Sequence, residues 1–145
     1  YKPVKAFESS SVVILLLFAD VESDIKNISL VVLGSATGGT LRYLISLFFL
    51  SKGLNKFPWA TLSVNLLGCF IIGIIYAVIE KSNQGENIRL LLATGFCGGF
   101  TTFSAFAIEN LQLLKLEATT TAISYIALSV VLGILLSFVG YFLFK

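Results

Sequence analysis

The chain contains no histidine and no methionine, one tryptophan, two prolines and two cysteines among 145 residues. Without histidine, an imidazole metal site or an imidazole proton relay is excluded. Cys69 and Cys97 fall in different apolar runs and form no C-x-x-C pair, so each reads as a small packing residue. The missing methionine, absent even at position 1, points to a chain that is not an untouched translation product. Charge is scarce too. Only 12% of residues are Asp, Glu, Lys or Arg, against about 25% in soluble domains. No nucleotide-binding motif is present, so nothing here uses ATP. Nothing marks an enzyme or a nucleic-acid partner.

What remains is apolar: 57% of residues are hydrophobic and the mean hydropathy is +0.94. Four runs each reach the roughly 20 residues that a bilayer crossing takes. They predict an all-α membrane protein with spans at about 28–50, 58–79, 88–114 and 120–144. Pro58 suits a helix start and Trp59 an interfacial anchor. The connections are short, which favours antiparallel neighbouring helices. No room is left for a second domain beside the four-helix unit of residues 28–145. Residues 1–27 stand apart. Their apolar core, VVILLLFA, is too short to cross and is followed by Asp20, Glu22 and Asp24. They are expected to form an interfacial or poorly ordered extension.

The cationic residues are nearly balanced across the membrane. With four spans, Lys2, Lys5, Lys26, Lys81, Arg89 and Lys145 share one side, and Arg42, Lys52, Lys56 and Lys115 the other. Leaving out Lys2 and Lys5, the count is four against four, so the positive-inside rule gives almost no orientation. A chain that inserts both ways can form a closed antiparallel homodimer. The expected location is the cell membrane.

The third run carries GFCGGFTTFSAF, Gly95–Phe106. Its glycines and threonines predict a helix broken at mid-membrane near Gly98–Thr101. Such a break is tolerated only when buried in protein or lining a wet cavity. It frees backbone carbonyls, and the lack of a carboxylate cluster favours a monovalent cation there over a divalent one. In the first span, Gly34-x-x-x-Gly38 offers a close-approach face. Arg42 costs roughly 2.5–3.5 kcal/mol in a bilayer, so it should snorkel or find a partner.

Several polar groups lie inside apolar runs. Thr61 and Asn65 share one face of the second span. The Asn65 amide serves either as glue between helices or as a ligand group. Tyr125, Ser129, Gly133 and Ser137 follow at four-residue steps on the fourth span, either backbone-bonded and packing or lining a pathway. Phe103 and Phe106 share a face that Glu109 continues. Two such rings are ordinary packing, or they present positive edges to an anion. Amide N–H, hydroxyl O–H and ring edges, with no lysine or histidine at mid-depth, suit an anion that must exchange its water shell.

At these residues the chain resembles the Fluc/CrcB family of small fluoride channels. The matching segments are GSATGGTLRY (Gly34–Tyr43), TLSVNLLG (Thr61–Gly68), GFCGGFTTFSAF followed by Glu109, and Tyr125 and Ser129 before Gly133. The resemblance covers about Ser29 to the C-terminus. It implies an antiparallel dual-topology homodimer with two fluoride pores that export the ion passively. Asn65 would be the pore amide, and Phe103 and Phe106 the ring pair. Thr61, Thr102, Tyr125 and Ser129 would belong to the polar pathway. Arg42 would sit at a vestibule and Glu109 beside the rings. The carbonyls of Gly98 and Thr101 would hold a structural Na⁺ on the two-fold axis. Three rivals compete. A small four-span proton-coupled multidrug exporter would need a carboxylate deep in the first span, where Arg42 stands. A non-transporting scaffold leaves the break unexplained. One half of a heterodimeric fluoride channel fits the near-even charge less well.

Overall fold

The computed structural model describes residues 5–53, 57–82 and 85–145, with side chains described from residue 21 onward. Every regular element among them is helical. Helix α1, Lys5–Ser51, has 47 residues and is about 70 Å long at 1.5 Å per residue. It runs through the boundary expected near residue 27, because residues 5–33 contain neither glycine nor proline to stop it. The expectation for residues 1–27 falls mainly on residues 1–20, whose side chains lie outside those described. Helix α2 is Trp59–Lys81. Helix α3 covers residues 85–100, α4 is Phe103–Lys115, and α5 is Thr119–Phe144. Four segments are long and apolar enough to cross a membrane: Val21–Ser51, Trp59–Lys81, Gly85–Lys115 and Thr119–Phe144.

The third of these segments is broken close to its middle, at the threonine end of the expected Gly98–Thr101 stretch. Gly98–Phe100 stay helical, Gly98 having φ −61° and ψ −38°. The residues that leave the helix are Thr101 (φ −82°, ψ 159°) and Thr102 (φ −149°, ψ 113°). Both are β-branched, and extended backbone suits that side-chain type. Upstream, Arg89–Cys97 winds as a π-helix, with i→i+5 bonds. No residue pattern announced this wider stretch.

The closest crossings join α1 to α3 and α2 to α5, which are not consecutive in the chain. Short loops alone therefore did not choose the partners; small residues did. A Cβ added at Gly34 or Gly38 would overlap the carbonyl oxygens of Leu91 and Phe96 on α3. On the second crossing, Gly73 and Gly140 bring α2 and α5 together in the same way, against Ser137 and Phe70. The buried set is small, with Leu62, Val64, Ile75, Ala77, Phe100, Ala122 and Tyr125 at its centre. Leucine, isoleucine, valine and phenylalanine cover much of the outside, the arrangement lipid contact requires.

Candidate functional site

The threonine break diverts hydrogen bonds that a continuous helix would have kept. In an unbroken helix the Thr102 N–H would close on the Gly98 carbonyl. Here it donates to Asn65 Oδ1 at 2.8 Å, and Asn65 Nδ2 donates back to the Thr102 carbonyl at 3.2 Å. The carboxamide thus pairs with the chain as a neighbouring peptide would. It has two N–H donors, so one remains outside this pair. Gly68, on the same helix, makes room for the approach: a Cβ there would overlap the Thr101 γ-methyl.

The second half of the break is capped from within. Thr102 Oγ1 accepts the Ala105 N–H at 3.2 Å and lies 3.2 Å from Ser104 Oγ, starting α4 as an N-cap. In an unbroken helix that Ala105 N–H would have served the Thr101 carbonyl. The hydroxyl and N–H of Thr101 both turn back to the Cys97 carbonyl, each at 2.9 Å. The break takes the carbonyls of Gly98 and Thr101, among others at this helix end, away from their i+4 donors. These two are the oxygens that the family resemblance names for a monovalent cation. Gly98 is exposed, and a Cβ built on it meets nothing within 4 Å among the described residues. Neutral carbonyl oxygens are a donor type that suits a hard monovalent cation.

Arg42 finds the partner its depth demands, and it is one of those carbonyls. Its Nη1 donates to Thr101 O at 3.4 Å, the outer edge of hydrogen-bond range. Gly38, one turn earlier, sets this up by seating α1 on Phe96.

A second cluster joins α2, α4 and α5. The Glu109 carboxylate accepts the Thr61 hydroxyl on Oε1 at 2.6 Å and the Tyr125 hydroxyl on Oε2 at 2.8 Å. Thr61 is 7% exposed and Tyr125 is fully buried. In this state both hydroxyls are committed to the carboxylate. The Phe106 ring meets Tyr125 edge-on, with centroids 5.0 Å apart. Phe103 lies 5.7 Å from Phe106 but is 80% exposed. Ser129, one turn beyond Tyr125 on α5, has a buried Oγ with no hydrogen-bond partner among the described residues. Ser137 differs, since it bonds back to the Gly133 carbonyl at 3.1 Å.

Two open clefts meet here. One of about 280 Å³ is bordered by Arg42, Tyr43, Ser46, Thr61 and Thr102. The other, about 500 Å³, is bordered by Ser46, Phe57, Trp59, Glu109 and Gln112. Ser46 borders both, and sequence reasoning missed it; its place one turn after Arg42 was the available signal. Asn110 was missed as well. It is 7% exposed, its Nδ2 donates to the Phe106 carbonyl at 2.8 Å, and its Oδ1 is unpartnered among the described residues. An amide next to Glu109 in an apolar helix was its only signal.

The family model described as "CrcB-like protein, Camphor Resistance (CrcB)" matches residues 29–141. The chain belongs to the CrcB family. All the site residues above lie within the match, and residues 1–28 lie outside it. Three relatives bear the name "Fluoride-specific ion channel FluC". That of Phocaeicola vulgatus is 47% identical over 110 residues, covering 76% of this chain and 91% of the relative. That of Azobacteroides pseudotrichonymphae is 41% identical over 120 residues, 82% of this chain and 96% of the relative. That of Leptospira interrogans is 42% identical over 121 residues, 83% and 95%. With four membrane-crossing segments, this CrcB chain is a multi-pass bacterial membrane protein.

Proposed function

We propose that this chain is a passive, fluoride-selective ion channel that lets cytoplasmic fluoride leave the cell. Fluoride enters acid-exposed cells as neutral HF, dissociates inside, and flows out down its gradient. The reading rests most on one observation: an uncharged amide, Asn65, clamps a broken helix and keeps one N–H outside that pairing. The names of the relatives point the same way.

The physical problem is dehydration. Placing a bare small ion in low dielectric costs on the order of tens of kcal/mol. Several modest donors can offset that cost without forming one deep trap, which conduction requires. The Asn65 N–H, the Ser129 O–H and the edges of Phe103 and Phe106 are such donors. Thr61 and Tyr125 become donors to the ion only when they release Glu109. Arg42 in the first cleft draws anions toward the entrance. Glu109 carries the opposite sign beside the second cleft and opposes prolonged residence of an anion.

The working unit is an antiparallel dual-topology homodimer with two pores. The near-even cation count supports insertion both ways. The uncovered Phe103 ring and the exposed Gly98 support a second copy over that face. A structural Na⁺ would be held by the Gly98 and Thr101 carbonyls, shared between the two copies, and would supply fixed positive charge at the break. The rival exporter needs a carboxylate deep in the first span, whereas the charged residue of α1 at the cleft is Arg42. A bacterial strain stripped of its own fluoride export tests the reading. Expression of this chain should restore growth in fluoride at acidic pH; growth no better than with empty vector argues against it.

A further inference from the structure

The same carbonyl oxygen serves two positive groups. Thr101 O is one of the oxygens that the break removes from the helical ladder, and it already receives the Arg42 guanidinium at 3.4 Å. We propose that Arg42 and the bound monovalent cation compete at Thr101 O, so that cation binding releases the guanidinium into the anion cleft. The inference rests on reading Gly98 and Thr101 as cation ligands.

Three observations carry it. Arg42 forms no ion pair among the described residues, so no carboxylate neutralises it or holds it elsewhere. Its contact with Thr101 O is long, hence weak, and lengthens at little cost. Its other surroundings are open, because it borders the cleft of about 280 Å³ together with Tyr43, Ser46, Thr61 and Thr102. A guanidinium a few ångströms from a cation disfavours that cation by Coulomb repulsion, and low dielectric strengthens the effect. Linkage then works in both directions. A guanidinium on Thr101 O weakens the cation, and the cation weakens the guanidinium's hold by the same factor. The freed side chain stays tethered to α1, whose approach at Gly38 fixes its base. Its head can then only swing along the cleft, where an anion would meet it. The cation at the break thereby sets how much positive charge faces the anion entrance, without touching the anion itself.

The test uses the purified full-length protein in detergent. Its melting temperature is followed by intrinsic fluorescence as Na⁺ replaces N-methylglucamine at constant ionic strength. The wild type should melt at higher temperature as Na⁺ rises. In Arg42→Gln, half-saturation should occur at about three- to tenfold lower Na⁺, the size expected for removing one nearby charge partly screened by solvent. Arg42→Lys provides a second variant should Arg42→Gln fold poorly. Its shorter reach and compact head take it off Thr101 O, and half-saturation should again move to lower Na⁺. Lys52→Gln removes a remote cation and should leave the curve in place. Unchanged or higher half-saturation in the Arg42 variants, or an equal shift in Lys52→Gln, overturns the competition while leaving the cation site standing. A wild type whose melting ignores Na⁺ overturns both.

Discussion

The side chain of Asn65 and the main chain of Thr102 hold each other by two hydrogen bonds, 2.8 Å and 3.2 Å long, across 37 residues of sequence. One amide thereby stabilises the break in α3–α4, and its partner Thr102 borders the smaller cleft. The proposed function couples structure and transport at this residue.

Asn65→Asp tests that coupling. The substitution removes both N–H donors, sets a carboxylate oxygen against the Thr102 carbonyl, and places negative charge on the anion route. Fluoride efflux from proteoliposomes should be abolished. Stability should fall by about 1–3 kcal/mol, the cost of leaving a buried acceptor unpaired, visible as a lower melting temperature. Efflux at the wild-type rate would remove Asn65 from the pathway.

Glu109 and its two hydroxyl donors act as a unit. Tyr125→Phe and Thr61→Val each delete one donor, and each should cost about 1.5–3 kcal/mol, as for hydrogen bonds to a charged group. Because both donors serve one carboxylate, the double variant should lose less than the sum of the singles. Melting temperatures and efflux rates of all four proteins give the cycle. Strict additivity would show that the two bonds are independent.

Gly38 and Gly98 should respond in opposite ways. Gly38→Ala drives a methyl into the Phe96 carbonyl and should destabilise the fold by about 1–3 kcal/mol through overpacking. Gly98→Ala meets open space within the protomer, so the monomer fold should be unaffected. The methyl would instead crowd the proposed two-fold axis, and size-exclusion chromatography should show weaker dimerisation. A fully dimeric Gly98→Ala protein with unchanged Na⁺ response would place the interface elsewhere.

Phe106→Ile should slow fluoride efflux and leave the dimer intact. The Phe106 ring touches Tyr125 edge-on and Phe103 at a tilt, and isoleucine keeps the bulk but loses the polar ring edge. Unchanged efflux reduces the ring to packing.

Much of the fold was legible because lipid imposes a simple rule: long apolar runs become helices. The four spans follow from that rule alone. The position of the break was legible only approximately. Glycine marks where a helix can stop, but here Asn65 gives Thr102 an alternative partner, and that partner lies 37 residues away. The pairing of Glu109 with Thr61 and Tyr125 was equally hidden, since it joins side chains on three separate helices, α2, α4 and α5. The π-helical stretch Arg89–Cys97 has no residue signature at all. The contact between Arg42 and Thr101 needed the α1–α3 crossing to be known first.

Efflux from vesicles reconstituted with the purified wild-type chain, read by a fluoride electrode with chloride as control, tests the central claim most directly. Clamped, uncharged donors at the broken helix should let fluoride escape rapidly while chloride stays inside. Vesicles that retain fluoride as well as protein-free lipid does would contradict the account.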